Sequence, residues 1–149
     1  MEKILISACL VGDKCKYNGK SNYNPLIKEL LEYYELVPFC PEVEGGLSTP
    51  RDPSEMKEGS VYSSKGKDVT HNFETGAELA YNICLYLGIT TAILKDCSPS
   101  CGSTEIYDGS FKGRKIKGMG MTARYLSEKG VKIIPDTKIQ EFLDKAKEK

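Results

Sequence analysis

Four short apolar stretches separated by segments of helical period constrain this chain more than any other feature of its sequence. They are Ile4 to Ala8, Leu36 to Phe39, Ala92 to Lys95 and Val131 to Ile134. Each has strand length, and strands alternating with helices pack as layers around a mostly parallel sheet. At 149 residues and 40% hydrophobic, the chain can fill one such domain over 1–149 and needs no second. The expected fold is α/β: one Rossmann-like domain with a four-stranded, mainly parallel sheet in the order 2-1-3-4.

Apolar residues recur on one face over Pro25 to about Tyr34, Thr70 to Leu87, about Met121 to Lys129, and about Lys138 to Ala146, which are the expected helices. Pro25 suits a first turn, Thr70 a cap, and Gly88 and Gly130 end two of them. Two segments stand outside this alternation. Pro41 to about Asp68 is broken by Gly45-Gly46 and Pro50-Arg51-Asp52-Pro53, and a loop of that length inside a compact domain is usually functional. Thr104 to Lys117 carries Asp108-Gly109, a hairpin signal that predicts a small β-ribbon.

Three cysteines occupy matching places in this scheme. Cys9 ends the first strand, Cys40 ends the second, and Cys101 lies in Ser98-Pro99-Ser100-Cys101-Gly102 after the third. The carboxyl ends of parallel strands gather at one edge of a sheet, so these thiols converge in space. The amino terminus carries no signal-like segment and no apolar run spans a bilayer, so a cytoplasmic location without membrane contact is the default expectation. In a reducing compartment six cysteines argue for metal or sulfur chemistry over disulfides. Cys84, inside an apolar helical run, reads as a small buried hydrophobe. Neither Cys9 with Cys15 nor Cys97 with Cys101 has the C-x2-C spacing of a zinc ribbon or a dithiol motif. Zinc is therefore not indicated, and a 4Fe-4S cluster on three thiolates, with one iron open to a sulfur atom, fits better.

The motifs Ser7-Ala8-Cys9-Leu10-Val11-Gly12, Tyr17-Asn18-Gly19, Cys40-Pro41-Glu42-Val43-Glu44-Gly45-Gly46-Leu47 with Pro50-Arg51, Lys67-Asp68-Val69-Thr70, and Ser98-Pro99-Ser100-Cys101-Gly102 follow one another in order. Together they resemble the family of thiouracil desulfidases, long known only as a domain of unknown function, over nearly the whole chain. The resemblance implies an oxygen-sensitive 4Fe-4S cluster held by Cys9, Cys40 and Cys101, and removal of sulfur from a thiolated pyrimidine such as 2-thiouracil without net redox chemistry. Its catalytic acid matches Glu44, and its catalytic serine falls in the Ser98–Cys101 loop, with Ser98 preferred over Ser100. Cys15 and Cys97 depart from the family pattern, which leaves them as ordinary loop thiols or as groups with a redox or sulfur-relay role.

The neighbouring residues suit that chemistry. Desulfuration needs a sulfur acceptor, a base for water and a proton donor. Glu42 and Glu44, two apart, point the same way if the backbone is extended. Arg51 is expected to pair with Glu55, or alternatively to reach a polar substrate edge; Tyr17 is a candidate to stack on a planar base. His71 at a helix start reads as a surface residue, which excludes a serine-histidine hydrolase. Gly118-Met119-Gly120 before a helix is a weak anion-site signal. The charges balance at 21 basic and 21 acidic residues, so no global field recruits nucleic acid. Lys112, Arg114, Lys115 and Lys117 nevertheless form a local basic patch, which keeps open a cluster- or zinc-binding protein that delivers sulfur to RNA or senses redox state. Nucleic acid is the disfavoured partner.

Overall fold

Strand β1 (Glu2–Ser7) turns Ile4 and Ile6 to one apolar layer and Leu5 to the other, as the two-residue period of a strand requires. The computed structural model describes residues 1–148. After β1 come a one-turn helix α1 (Ile27–Leu30), β2 (Tyr34–Phe39), a short helix α2 (Pro41–Glu44), and a hairpin of β3 (Ser54–Lys57) and β4 (Ser60–Ser63). The long helix α3 (Thr70–Leu87), β5 (Thr91–Leu94), a ribbon of β6 (Glu105–Tyr107) and β7 (Lys115–Lys117), α4 (Met121–Glu128), β8 (Lys132–Pro135) and α5 (Ile139–Lys147) follow.

The main sheet has the order β2-β1-β5-β8, all parallel, which is the expected 2-1-3-4 arrangement. On one face Ala80 and Cys84 of α3 and Ala123 and Leu126 of α4 cover Leu5, Ala92 and Leu94; on the other, Ile27 and Leu30 of α1 and Ile139 and Leu143 of α5 cover Ile4, Ile6 and Ile93. Buried Cys84 is the core residue its sequence suggested, and burial pushes its thiol up to about 11. The chain leaves β1 toward β2 on one side and returns past it to β5 on the other, so the crevice between β1 and β5 is the switch point where α/β sheets bind ligands.

Helix boundaries depart from expectation where other contacts outbid the local pattern. Residues 31–33 are turn, because Tyr34 is drawn into β2, where it pairs with Glu2 and stacks on Phe142 with centroids 5.1 Å apart. At the start of α3 the Asp68 carboxylate accepts the Thr70 N–H at 2.9 Å, while the Thr70 hydroxyl accepts the Val61 N–H at 2.9 Å. Thr70 is thus no cap: Asp68, just before the N-cap Val69, takes up its N–H, and the Thr70 hydroxyl clips the helix to β4. The long loop conceals a hairpin whose turn residues Glu58 (φ 52°) and Gly59 (φ 83°) are both left-handed, the geometry a tight two-residue hairpin needs. In the second ribbon the connection instead spans residues 108–114, closed by the Asp108 N–H on the Arg114 carbonyl at 2.9 Å, so Asp108-Gly109 begins a longer loop. Among the described residues no helix is long and apolar enough to cross a membrane.

Candidate active site

Each of the three converging thiols is set by the way its strand ends. Cys9 lies in the single 3-10 turn Ala8–Val11 that leaves β1, and the Asn22 amide donates to its Sγ at 3.4 Å. Cys40 immediately precedes α2, which Pro41 opens, its fixed φ suiting a first turn and its missing N–H costing nothing there. α2 is pressed onto α3: a Cβ on Gly76 would lie 2.1 Å from the Pro41 carbonyl oxygen, so no larger residue fits without moving Cys40.

Cys101 is held by the most elaborate network. Oδ1 of buried Asp96 accepts the N–H groups of Cys97 at 2.9 Å, Ser103 at 3.0 Å, Thr104 at 3.1 Å and Glu105 at 3.4 Å. The Thr104 hydroxyl donates to its other oxygen. Burial opposes ionisation of Asp96, but these donors outweigh it and hold the carboxyl down at about 2. The loop is clasped from outside by α4, whose Met121 and Thr122 N–H groups reach the Pro99 and Ser100 carbonyls at 2.8 and 2.9 Å. The glycine-led start of α4 is therefore no anion site; its donors are spent on this loop. A Cβ at Gly120 would come within 2.6 Å of Ser100, which explains the glycine.

The strand ends surround a cavity of about 450 Å³ at the switch point. Of the residues expected to act, Cys9, Cys40, Cys101, Ser98, Ser100, Glu42, Arg51 and Tyr17 all line it, and so do Cys15 and Cys97. Glu44 does not. Residues 41–44 are helical, not extended, so Glu42 and Glu44 diverge; Glu44 is exposed, and Glu42 alone reaches the cavity. There the Ser100 hydroxyl donates to Glu42 Oε2 at 2.8 Å, the Ser98 and Ser100 hydroxyls lie 3.3 Å apart, and Ser98 Oγ accepts the Cys101 N–H at 2.7 Å.

Arg51 corrects a second expectation. It pairs with Glu42, not Glu55: Nε and Nη2 donate to Oε1 at 3.3 and 3.2 Å, in a pair whose side chains are only 8% and 14% exposed. Nη2 also reaches the Cys15 carbonyl at 2.9 Å, and Nη1 the Ser48 carbonyl at 3.1 Å. Glu55 instead accepts the Gly109 and Phe111 N–H groups at 2.9 and 3.1 Å, joining the two ribbons beside the cavity. Of the basic patch, Arg114 pairs with Asp108 at 4.0 Å and Lys115 lies over the Tyr107 ring at 5.7 Å, both exposed. His71 is a surface residue.

Two contributions escaped the sequence. Asp96 carries no motif, and its only signal was an acid directly after a strand. Cys15 read as an ordinary loop thiol or a redox or relay group, and what escaped was its place: its thiol is within hydrogen-bonding reach of both Cys9 and Cys40. Hydrogen bonding from Cys15 lowers the Cys9 thiol and holds Cys40 down at about 7, and the Cys15 thiol is raised correspondingly. Cys101 is buried, with its thiol pushed up to about 12 by desolvation.

This donor set fits an iron-sulfur cluster. Soft thiols converge without any histidine, and all six cysteines are free. Among the described residues no three His, Cys, Asp or Glu side chains close around one ion position. A single metal ion needs such closure. A 4Fe-4S cluster does not, since each of its irons takes a separate thiolate.

Comparison with known proteins points the same way. The family model described as 2-thiouracil desulfurase matches residues 4–138. The chain is 37% identical to the uncharacterised protein YbbK of Bacillus subtilis (strain 168), over 94% of this chain and 99% of that one. Its structure superposes with a TM-score of 0.90 on the 4Fe-4S-dependent thiouracil desulfidase TudS, at 42% identity and covering 95% of both chains.

Proposed function

The chain belongs to the 2-thiouracil desulfurase family, and from that premise we propose that it is a 4Fe-4S-dependent desulfidase that converts 2-thiouracil and water to uracil and sulfide. The observation that carries the site assignment is the contact of Ser100 with Glu42 on the wall that bears the three strand-end thiols. Cys9, Cys40 and Cys101 hold the cluster. When bound, a cluster on three protein thiolates supplies one iron as a Lewis acid with affinity for sulfur.

The protein's own groups handle water and protons. Glu42 Oε1 is occupied by Arg51, so Oε2 is the oxygen left to accept a proton, and it already holds the Ser100 hydroxyl. Because Ser98 Oγ accepts the Cys101 N–H, its own hydrogen is free to go to Ser100, giving a line Ser98 to Ser100 to Glu42. Glu42 takes the proton of the attacking water as general base, and the hydroxyl line returns one to the ring nitrogen or the departing sulfur. Water's oxygen replaces sulfur at the same carbon oxidation state, so no electron is transferred. Tyr17 at the cavity lip offers a flat face to the pyrimidine, and Arg51 fixes Glu42.

Anaerobic mixing of the cluster-loaded protein with 2-thiouracil tests this. Uracil and sulfide should appear in equal amounts over several turnovers, with no reductant or nucleotide added. A loaded protein that leaves every free thiobase untouched, yet binds thiolated RNA in a strongly salt-sensitive way, would replace the reading with RNA delivery through the basic ribbon.

A further inference from the structure

We propose that Cys15 is a displaceable fourth thiolate of the cluster, capping in the resting protein the iron that substrate sulfur takes during turnover. This rests on the desulfidase reading above and adds to it a group that the three-thiolate site does not use. Of the three cysteines outside that set, Cys84 is in the core and Cys97 faces Lys115 on the ribbon side. Cys15 shares the cavity wall with Cys9 and Cys40, and of the three it alone has its thiol within hydrogen-bonding reach of two of the strand-end thiols.

The position is built, not incidental. The Cys15 carbonyl receives Arg51 Nη2 at 2.9 Å, and two residues on, the Tyr17 carbonyl receives the Arg51 N–H at 2.8 Å. One arginine therefore fixes both Glu42 and the segment that carries Cys15. A fourth soft donor held beside three others has an evident target in a cluster with one free corner.

The means of attachment makes the cap removable. Cys9 and Cys40 follow closely on the ends of β1 and β2, Cys101 lies in the loop after β5, and the three are fixed by main-chain turns, packing and the Asp96 network. Cys15 lies in a loop without helix or strand, half-buried, and is anchored through a side chain reaching over from another loop. In the exchange the bond from iron to Cys15 sulfur breaks as the bond from iron to thiocarbonyl sulfur forms. Both sulfurs donate an electron pair, no oxidation state changes, and the leaving thiolate takes its proton from solvent at the cavity mouth.

The test compares anaerobically reconstituted wild type with Cys15→Ala and Cys15→Ser. Limited ferricyanide should convert the variants to the 3Fe-4S form, read by electron paramagnetic resonance, at least tenfold faster than wild type, because the uncapped iron is the one lost. 2-Thiouracil titrated against the visible spectrum should bind the variants at least tenfold more tightly, since nothing has to be displaced. On the unmutated holoprotein, iodoacetamide with peptide mass spectrometry should find Cys15 protected at rest and alkylated once 2-thiouracil is added, the opposite of ordinary substrate shielding. Equal iron loss and equal affinity in loaded wild type and variants, with no unmasking of Cys15, would overturn the cap. Complete loss of the cluster in both variants would also overturn it, by making Cys15 a permanent ligand. If no cluster assembles in wild type either, the desulfidase reading itself fails, which is a separate outcome.

Discussion

The loops that leave β5 and β1 both deliver thiols to one cavity, yet they are held by opposite means. After β5 a buried carboxylate gathers main-chain N–H groups from residues 97, 103, 104 and 105, and α4 clasps the result from outside. After β1, beyond the 3-10 turn, the segment that carries Cys15 is tied to Arg51 by its carbonyls. The first arrangement fixes a chain path through many short bonds to one anion, and moving any part breaks several. The second is tied across the cavity to a single residue, by one main-chain bond and one flexible side chain. A fixed loop suits residues that must not move, here Cys101 and the serines. A tethered loop suits one that gives way.

The sharpest way to break this contrast is to remove thiols one at a time. Cys9→Ser, Cys40→Ser and Cys101→Ser should each abolish cluster binding, whereas Cys84→Ser should bind as much iron and sulfide as wild type, because a core thiol only packs. Iron and sulfide analysis after anaerobic reconstitution decides it, and a Cys40→Ser protein with a full cluster would sink the assignment. The next largest effect concerns the carboxylates. Glu42→Gln should keep the cluster and lose roughly a hundred- to ten-thousand-fold in turnover, the usual range for general acid-base catalysis, with Glu44→Gln close to wild type. The reverse ranking would return the role to Glu44.

Those two glutamates mark how far the sequence could be read. Strand order, the three thiols at strand ends and the bounds of α3 were legible, because alternation of apolar stretches and the gathering of strand carboxyl ends are global consequences of a local pattern. Which carboxylate reaches the cavity depended on whether 41–44 is extended or helical. A proline that opens a turn and a close approach to Gly76 decided that, and the approach is a tertiary fact. Arg51 was legible as a loop anchor but its partner was not, since Glu55 lies nearer in sequence and Glu42 nearer in space. Asp96 was invisible because its partners are backbone groups, which no side-chain pattern advertises.

Asp96 gives the third test, on the rigid side of the comparison. Its pKa of about 2 lies below the ordinary value of about 3.9, so its ionised form stabilises the fold. That contribution is complete above the unfolded value and is lost as pH falls toward 2. Asp96→Asn replaces charge-assisted bonds by weaker ones and puts an NH2 group where Oδ2 accepts the Thr104 hydroxyl, a loss of about 2–3 kcal/mol. Thermal unfolding should show a deficit of several degrees at pH 7 that narrows as pH drops below 4. A constant deficit across that range would mean that the loop is held by packing alone.

The smallest effect is expected on the tethered side, and it is the one most specific to it. Arg51→Lys retains a cation near Glu42 but lacks the fork that serves Glu42, the Ser48 carbonyl and the Cys15 carbonyl together. The main-chain bond from residue 51 to the Tyr17 carbonyl remains, so the loop should loosen without detaching. Native-state amide exchange resolves such local opening. Protection should fall about tenfold at Lys16, Gly19 and Asn22, which is ~1.4 kcal/mol of local stability, and stay unchanged at Cys97, Ser103 and Thr104. Equal loosening on both sides would show one shared scaffold in place of two independent ones, and the division between a fixed and a yielding half of the site would go with it.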